Sequence, residues 1–475
     1  MMNVHKKAAT LALILSIMTT SALAAPRNHT SLEDYQEKAL HITQQVVADK
    51  VISDKAIPQV VTLDENRAVA WALQNNRSIK EANWSYEAAK AGVRVQGAAK
   101  NPVVTYQYKA SKMQTTAVQP TDTTASHALD IQVPLYTGGK IESALAGARY
   151  QREGAQAAVV EAKQAAKLKA VTDYYGLIKA RNKINIAQQA LRDYEGHLSN
   201  VTAQYNVGIV ASSDVLASKT RLEKAKTNLV QAQQGADLAE AALNMVLAIP
   251  VHVHIDTTDQ EMTYRPYEVT LDDAKAYALA HRAILVQSTM QVKAAEEAIH
   301  AAKAGKLPAV YLNVGDGFMS KNSLSGTDHH TGWHIAGQAS WNLWDGGASD
   351  AVVAQRKAML EQVKEHNLAT IDSILLGVQQ AYLTMRSTEQ MISSTKTAVE
   401  EGQENFRIAS LRYRAGVGTN IDVLDAETEL ANARNRYVDA LYDYNVSVAT
   451  LEQAIGIPVE TRVANGVALI RSHNM

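Results

Sequence analysis

Two hydrophobic periodicities alternate along the chain, and each occurs twice. In 103–110, Val104, Tyr106 and Tyr108 fall on one face while Thr105, Gln107 and Lys109 fall on the other. In 128–136, Leu129, Ile131, Val133 and Leu135 alternate with Asp130 and Gln132. The same period of two recurs in 310–319, through Val310, Leu312 and Val314. It recurs again in 333–344, through Trp333, Ile335, Ala339, Trp341 and Leu343. Such alternation predicts half-buried strands, at about 103–111, 128–136, 309–319 and 333–344. A Gly-Gly pair follows the second and the fourth, and after each the pattern changes. Residues 140–205 and 348–413 contain no Pro and are rich in Ala. That composition predicts uninterrupted helices of ~66 residues, roughly 100 Å long at 1.5 Å per residue. A Gly turn and a return helix of about 34 residues, or roughly 50 Å, follow in both cases. A further helix precedes each pair of strands, with Thr62 or Thr270 as its cap, running to about 99 or 305.

These likenesses reflect a duplication with a period near 208. Tyr205-Asn206-Val207-Gly208 aligns with Tyr413-Arg414-Ala415-Gly416, and Asp214-Val215-Leu216 aligns with Asp422-Val423-Leu424. From Tyr205 to Val251 and from Tyr413 to Val459 the copies run without a gap, with 15 of 47 positions identical. The period is too long for a solenoid and marks two copies of one large unit. The copies span 61–251 and 269–459, joined by a linker at 252–268. A polar stretch at 25–60 precedes them and a tail at 460–475 follows.

The N-terminus adds a route. His5, Lys6 and Lys7 precede a short apolar run from Ala8 to Met18, and Ala22-Leu23-Ala24 has the small residues of a cleavage site. Residues 1–24 therefore read as a secretory signal. No stretch of 18 or more apolar residues occurs, so an exported chain held in a membrane must use strands. Amphipathic segments of about ten residues are what a transmembrane barrel requires. Trp333, Trp341, Tyr136 and Trp344 suit its interfacial girdles. Four strands cannot close a barrel, and an open edge in lipid is prohibitive, so several chains must share one. Three copies give twelve strands above a helical tube, with 112–127 and 320–332 as external loops.

Composition narrows the function. With 47 basic and 48 acidic residues the formal net charge is −1, which gives no chain-wide footprint for nucleic acid. The absence of Cys removes disulfides, thiolate metal sites and a thiol nucleophile. No phosphate loop and no Gly-x-Ser-x-Gly occurs, so nothing points to an enzyme or a cofactor. His252, His254, His329 and His330 lack a third ligand for a metal. An exit duct for export accounts for these features. A structural or adhesive trimeric coiled-coil protein of the envelope is the alternative, but its strands would gather at one terminus.

The Leu-Asp-Glu and Leu-Asp-Asp helix starts, the Gly-Gly pairs and the two Tyr-x-x-Gly…Asp-Val-Leu turns resemble the TolC family of outer-membrane efflux and secretion channels. The resemblance implies a mainly α fold with a small membrane β-barrel portion. Internally duplicated long-helix hairpins would form a trimeric α-barrel tunnel capped by a twelve-stranded β-barrel, four strands per chain. It also implies a homotrimer in outer-membrane lipid, the tunnel crossing the periplasm. The partners would be a periplasmic adaptor protein and an inner-membrane pump.

The two turns lie at the tunnel end far from the strands. Asp214 and Asp422 sit just before fresh helices, where Asp serves as an N-cap. Asp425 shares a helix face with Asp422. Family members carry acidic residues at these two positions, and six carboxylates in a trimer would form a cation-selective gate. Crowding in such a ring should raise some of their pKa values. Tyr413 and Asp214 could support the gate. Family members with a basic residue in this turn have it at the position of Gly418, so that tie is absent. Gly208, Val215, Leu216, Gly416, Val423 and Leu424 resemble the tips contacted by adaptors. The signal predicts that protein extracted from the outer membrane begins at Ala25. N-terminal sequencing checks this, and an intact Met1 would refute it.

Overall fold

A computed structural model of the chain describes residues 59–113, 122–259, 262–321, 329–460 and Ile470. The leader, nearly all of 25–60, most of the tail and the centres of both polar loops lie outside the described residues. The elements run β1 (Val60–Leu63), α1 (Glu65–Asn75), α2 (Arg77–Ala98), β2 (Val103–Met113), β3 (Asp122–Tyr136), α3 (Lys140–Asn206) and α4 (Ser212–Leu247). The second series is β4 (His254–Thr257), α5 (Leu271–His281), α6 (Ala283–Lys303), β5 (Ala309–Lys321), β6 (His329–Ser340), α7 (Ala348–Arg414) and α8 (Asn420–Ile455). Among the described residues no helix is long and apolar enough to cross a membrane.

Each long helix, α3 and α7, has 67 residues and each return helix 36. The long helices start at Gly139 and Gly347, both at φ 86°, a left-handed conformation that costs Gly nothing. Three residues connect β3 to α3 and seven connect β6 to α7.

The helices before the strands are broken, contrary to the single helix expected in each copy. Asn76 ends α1 and caps α2, accepting from the Ser78 amide (2.9 Å) and donating to the Val246 carbonyl (3.0 Å). Arg282 stands at the matching break between α5 and α6. It donates to the Gln453 carbonyl and to Glu161 Oε1 (2.9 Å). In both copies the break is held by a bond to or beside the return helix, so no local breaker is needed. Thr270 caps α5 as expected, accepting from the Asp273 amide. Thr62 does not cap: it lies in β1, and Asp64 caps α1 through the Arg67 amide (2.6 Å).

β1 and β4 form a small parallel pair, from Val60↔His254 to Leu63↔Thr257, which the sequence pattern did not suggest. Around this pair sits the densest core, with Leu63, Tyr174, Leu177, Ile178, Leu247 and Ile255 essentially inaccessible. Several polar atoms there are paired: Tyr174 donates to Asp259 (2.7 Å), Tyr175 to Glu65 (2.9 Å) and Tyr444 to the Arg265 carbonyl (2.7 Å). Burial raises Glu65 above its ordinary value, against the bond from Tyr175, which lowers it.

The larger sheet is antiparallel in the order β2-β3-β5-β6. Its register confirms the alternation. Val104, Ile131, Val314 and Ile335 form one apolar row across all four strands, and Thr105, Asp130, Gly315 and His334 form the next row on the other face. The strands extend further into the polar segments than expected, taking in Lys112, Asp122–His127 and His329–Gly332. β6 stops at Ser340, so Trp341, Leu343 and Trp344 follow the strand, and Trp341 donates its ring N–H to the Lys306 carbonyl (3.0 Å).

The helices form a layer. Near the sheet the order is α2, α3, α6, α7; towards the turns it is α4, α3, α8, α7. Of the two long helices, α3 is flanked on both sides and α7 on one among the described residues. The outer flanks keep Trp84 on α2, Val230 and Leu238 on α4, and Leu376 and Leu383 on α7 exposed.

Candidate functional site at the helical turns

Both turns are built alike. After α3 the Gly208 amide donates to the Tyr205 carbonyl (2.9 Å) and Ile209 to Gln204 (2.9 Å). After α7 Gly416 donates to Tyr413 (3.0 Å) and Val417 to Arg412 (3.0 Å). This pair of bonds needs a left-handed residue, supplied by Gly208 at φ 77° and Gly416 at φ 75°. Gly418 is tight for a different reason. A Cβ there would lie 3.0 Å from the Tyr413 nitrogen, so a side chain at that position requires the turn to shift.

The turns differ in surroundings. The second is drawn in against the first hairpin, burying Val201, Val215, Ala409, Tyr413, Val423 and Ala426 in one cluster. Val423 and Leu424 are each 1% exposed. With Val215, at 9%, they are packing residues, which corrects their expected role as contact tips. Gly208, Leu216 and Gly416 remain at the surface.

Asp214 and Asp422 are not N-caps. Each is the third residue of its helix, after Ala211 and Thr419 respectively. Asp422 completes a capping box: its carboxylate accepts from the Thr419 amide (3.0 Å), while Thr419 Oγ1 accepts from the Asp422 amide (3.3 Å). The Thr419 bonds hold the Asp422 carboxyl below its ordinary value. Asp425 is exposed three residues on and accepts from Arg221 on α4 (3.0 Å). One of the two expected gate charges thus has a cation at its side, in an exposed pair of small energetic weight. Tyr413 is buried, its ring edge-on to His197 at 5.0 Å. Its hydroxyl has no hydrogen-bond partner among the described residues. His254, expected to share a face with His252, pairs with Glu240 (3.0 Å), and His252 lies in the turn before β4.

Two residues of α8 were missed. Asn420 is 6% exposed and receives His197 Nε2 at 2.6 Å. Glu427 is 1% exposed, and neither carboxylate oxygen has a hydrogen-bond partner among the described residues. A signal was available. Asn420, Val423, Glu427 and Leu430 follow the spacing of a buried seam, so both polar residues occupy core positions. Burial, reinforced by the charge of Asp193 on α3 and opposed by Arg434, pushes Glu427 up to about 8. Burial likewise pushes His197 below its ordinary value, against the bond to Asn420.

With this geometry in view, comparison with known proteins is informative. The family model described as outer membrane efflux protein matches residues 69–248 and 276–457, one segment in each copy. The chain belongs to that family. It is 24% identical to outer membrane protein TolC of Escherichia coli K12 over 307 residues, which is 61% of each protein. It therefore spans about three fifths of that relative. It is 23% identical to alkaline protease secretion protein AprF of Pseudomonas aeruginosa over 405 residues, 81% of this chain and 83% of AprF. Among solved structures, the outer-membrane channel OprN superposes with a TM-score of 0.73 at 20% identity, covering 84% of this chain and 91% of OprN. VceC of Vibrio cholerae gives 0.71 at 19% identity, covering 82% and 96%. Family membership agrees with the duplication, since the model matches once per copy.

The Glu427 environment makes a prediction about pH. Its folded pKa is raised, so its stabilisation is complete below the ordinary carboxylate value of 4.5. The stabilisation is then lost as pH rises towards about 8. Glu427→Gln keeps the shape and removes the titration. In detergent, thermal unfolding of the variant should fall less steeply between pH 5 and 8 than that of wild type, and the variant should be the more stable at the upper end by ~1–3 kcal/mol. Parallel pH profiles would show that Glu427 is not a buried neutral acid.

Proposed function

We propose that three copies of this chain close a twelve-stranded β-barrel in the outer membrane above a helical tunnel, and that the assembly is the exit duct of an efflux or secretion machine. The observation that carries this is the contact between the two repeats. β3 of the first repeat pairs with β5 of the second, and α3 packs against α6 and α8. By the duplication, the equivalent neighbours of β6 and α7 are β2, α2 and α4 of another copy. The chain contains the junction once and carries its two halves unpaired on opposite flanks. Repeating the junction from copy to copy joins every strand edge, which a sheet in lipid must do. Twelve strands from three copies is an even number above the minimum of about eight.

The names of the relatives support the direction of transport: TolC and VceC are outer-membrane proteins, and AprF is a secretion protein. The tunnel would carry small molecules or polypeptides outward, with a periplasmic adaptor and an inner-membrane pump docked at the turns. Asp422 and Asp425, both exposed on the first turns of α8, would then recur three times around the mouth. A ring of carboxylates attracts cations and repels anions. Because Asp422 is held ionised by its cap, the charge persists well below neutral pH.

Two measurements test this. The protein in mild detergent should have the mass of three chains and dissociate to one on boiling; a stable monomer with full strand content would end the barrel proposal. In planar bilayers under a salt gradient, wild type should favour cations. The double variant Asp422→Asn, Asp425→Asn should lose that preference at neutral pH. An unchanged reversal potential would put the selective charges elsewhere.

A further inference from the structure

On the polar face of the larger sheet an acid and an imidazole meet over a glycine. Thr105, Asp130, Gly315 and His334 share one row across β2, β3, β5 and β6. Asp130 and His334 are therefore two strands apart, which sets their backbones roughly 10 Å from each other. Their side chains lean together across β5 until Asp130 Oδ1 stands 3.7 Å from His334 Nε2. Gly315 makes the room. A Cβ there would lie 2.5 Å from Asp130 Oδ1 and would collide with the His334 ring. Gly315 itself is buried beneath the pair, while both side chains are partly exposed above it. Glycine weakens a strand interior, and a close approach by another group is one reason to have it there. The next row towards the loops is Gln107, Ala128, Gly317 and Gly332, which is nearly bare of side chains. A Cβ at Gly332 would meet nothing within 4 Å, so the pair is open to solution from that side.

At 3.7 Å the two groups are beyond hydrogen-bonding distance of each other. An ion fits between them. Zn²⁺ holds an imidazole nitrogen and a carboxylate oxygen at ~2.1 Å each, which at a tetrahedral angle sets the two donors about 3.4 Å apart. The pair closes on such an ion by moving a few tenths of an ångström. Imidazole with carboxylate suits Zn²⁺, Ni²⁺ and Cu²⁺, whereas Mg²⁺ takes oxygen ligands. We propose that Asp130 and His334 form a binding site for a divalent transition-metal cation, once per chain, on the inner face of the β-barrel. Water completes the coordination from the open row above. Two protein ligands make the site exchangeable, as the wall of a conducting pore requires, since a bound ion must also leave. Lys109, on the same face of β2, is four residues from Thr105, roughly 13 Å along the strand, and does not compete for the carboxylate. The site is also separate from Asp422 and Asp425, which stand at the other end of the long helices. That the ion faces the lumen rests on the proposed barrel, whose apolar rows meet lipid; the meeting of the two donors over Gly315 does not.

Calorimetry with Ni²⁺ on the untagged full-length protein in detergent tests the site, in metal-free buffer at about pH 8, where imidazole is free to ligate. The Asp422→Asn, Asp425→Asn variant serves as the background, so that the carboxylates at the turns contribute nothing. One Ni²⁺ per chain should bind, and Mg²⁺ at the same concentration should not displace it. His334→Gln and Asp130→Asn should each lower the affinity by more than the roughly tenfold that loss of an outer-shell partner costs. Gly315→Ala keeps both ligands but drives them apart, and should weaken binding as well; a histidine elsewhere on the chain would not respond to it. No binding to the background protein, or unchanged binding after His334→Gln, would overturn the site. If Gly315→Ala does not assemble, the two ligand variants decide, and undiminished affinity in either overturns the site. In planar bilayers, Ni²⁺ added on the side of the strands should lower the conductance of the background variant and not that of its His334→Gln derivative; equal block in both would also overturn the assignment. Calorimetry needs no channel, so the two proposals fail separately. Absence of Ni²⁺ binding leaves the duct intact, whereas absence of any channel from wild-type trimers overturns the duct and not the meeting of the two ligands.

Discussion

A helix of 67 residues has no core of its own, so everything here depends on what covers α3 along its length. One stripe of Val171, Tyr174, Leu177 and Ile178 is buried in the middle, Ala148 and Ala157 near the sheet, and Tyr194 and Val201 near the turns. Five helices supply most of that cover, three from its own repeat and two from the other. The small residues let the neighbours approach closely, and the aromatic ones fill the wider middle where the β1–β4 pair is inserted. Since ~25 cal/mol is gained per Å² of apolar surface removed from water, the stripe is worth far more than any of the exposed ion pairs on the same helix. α3 is therefore the spine on which both repeats are assembled.

The duplicated partner, α7, has the same length but keeps one flank bare. Leu376 and Leu383 stand seven residues apart on it and are both more than half exposed. A repeat protein satisfies its interior junctions and leaves its outermost ones open unless capped. Nothing caps either flank among the described residues, and the polar rows and apolar rows of the sheet run straight to both edges. The chain thus has the construction of a segment of a closed ring, with the same junction required inside the chain and between chains.

The sequence was most legible where the cause was local. Freedom from Pro and a Gly-Gly start set α3 and α7 to within a residue or so, and alternation set all four strands. It was silent where the cause was tertiary. Asn76 and Arg282 break their helices because carbonyls of Val246 and Gln453 wait nearby, and no local propensity records that. Thr62 and Thr270 occupy matching positions, but pairing with β4 draws Thr62 into a strand. The strands run on through Asp122–His127 because cross-strand partners are available there, although the segment looks like loop. At the turns, Asp422 and Asp425 were found by their character, but burial of Val423 and Leu424 followed from the same spacing and was overlooked. So was Asn420, whose polarity suggested surface while its position on the seam required burial.

The seam of α8 changes character along its length. From Leu430 through Ala433, Ala440 and Leu441 to Tyr444, Val448 and Leu451 the buried positions are apolar apart from the Tyr444 hydroxyl and Ser447, both of which are bonded. In the first two turns the equivalent positions are Asn420 and Glu427. An apolar side chain at either would stabilise the closed seam without orientation or pH dependence, and it would re-form after separation without any bonds to find. Asn420 instead makes the contact conditional on geometry, because its bonds exist in one register only. Glu427 makes it conditional on protonation, because its ionised form is unpaired beside Asp193. Polar groups at core positions sacrifice stability for specificity. Here Asn420 and Glu427 place that sacrifice in the turns that carry the exposed carboxylates, while near the other end of the helix the buried Glu452 faces Lys167 on the spine (3.8 Å).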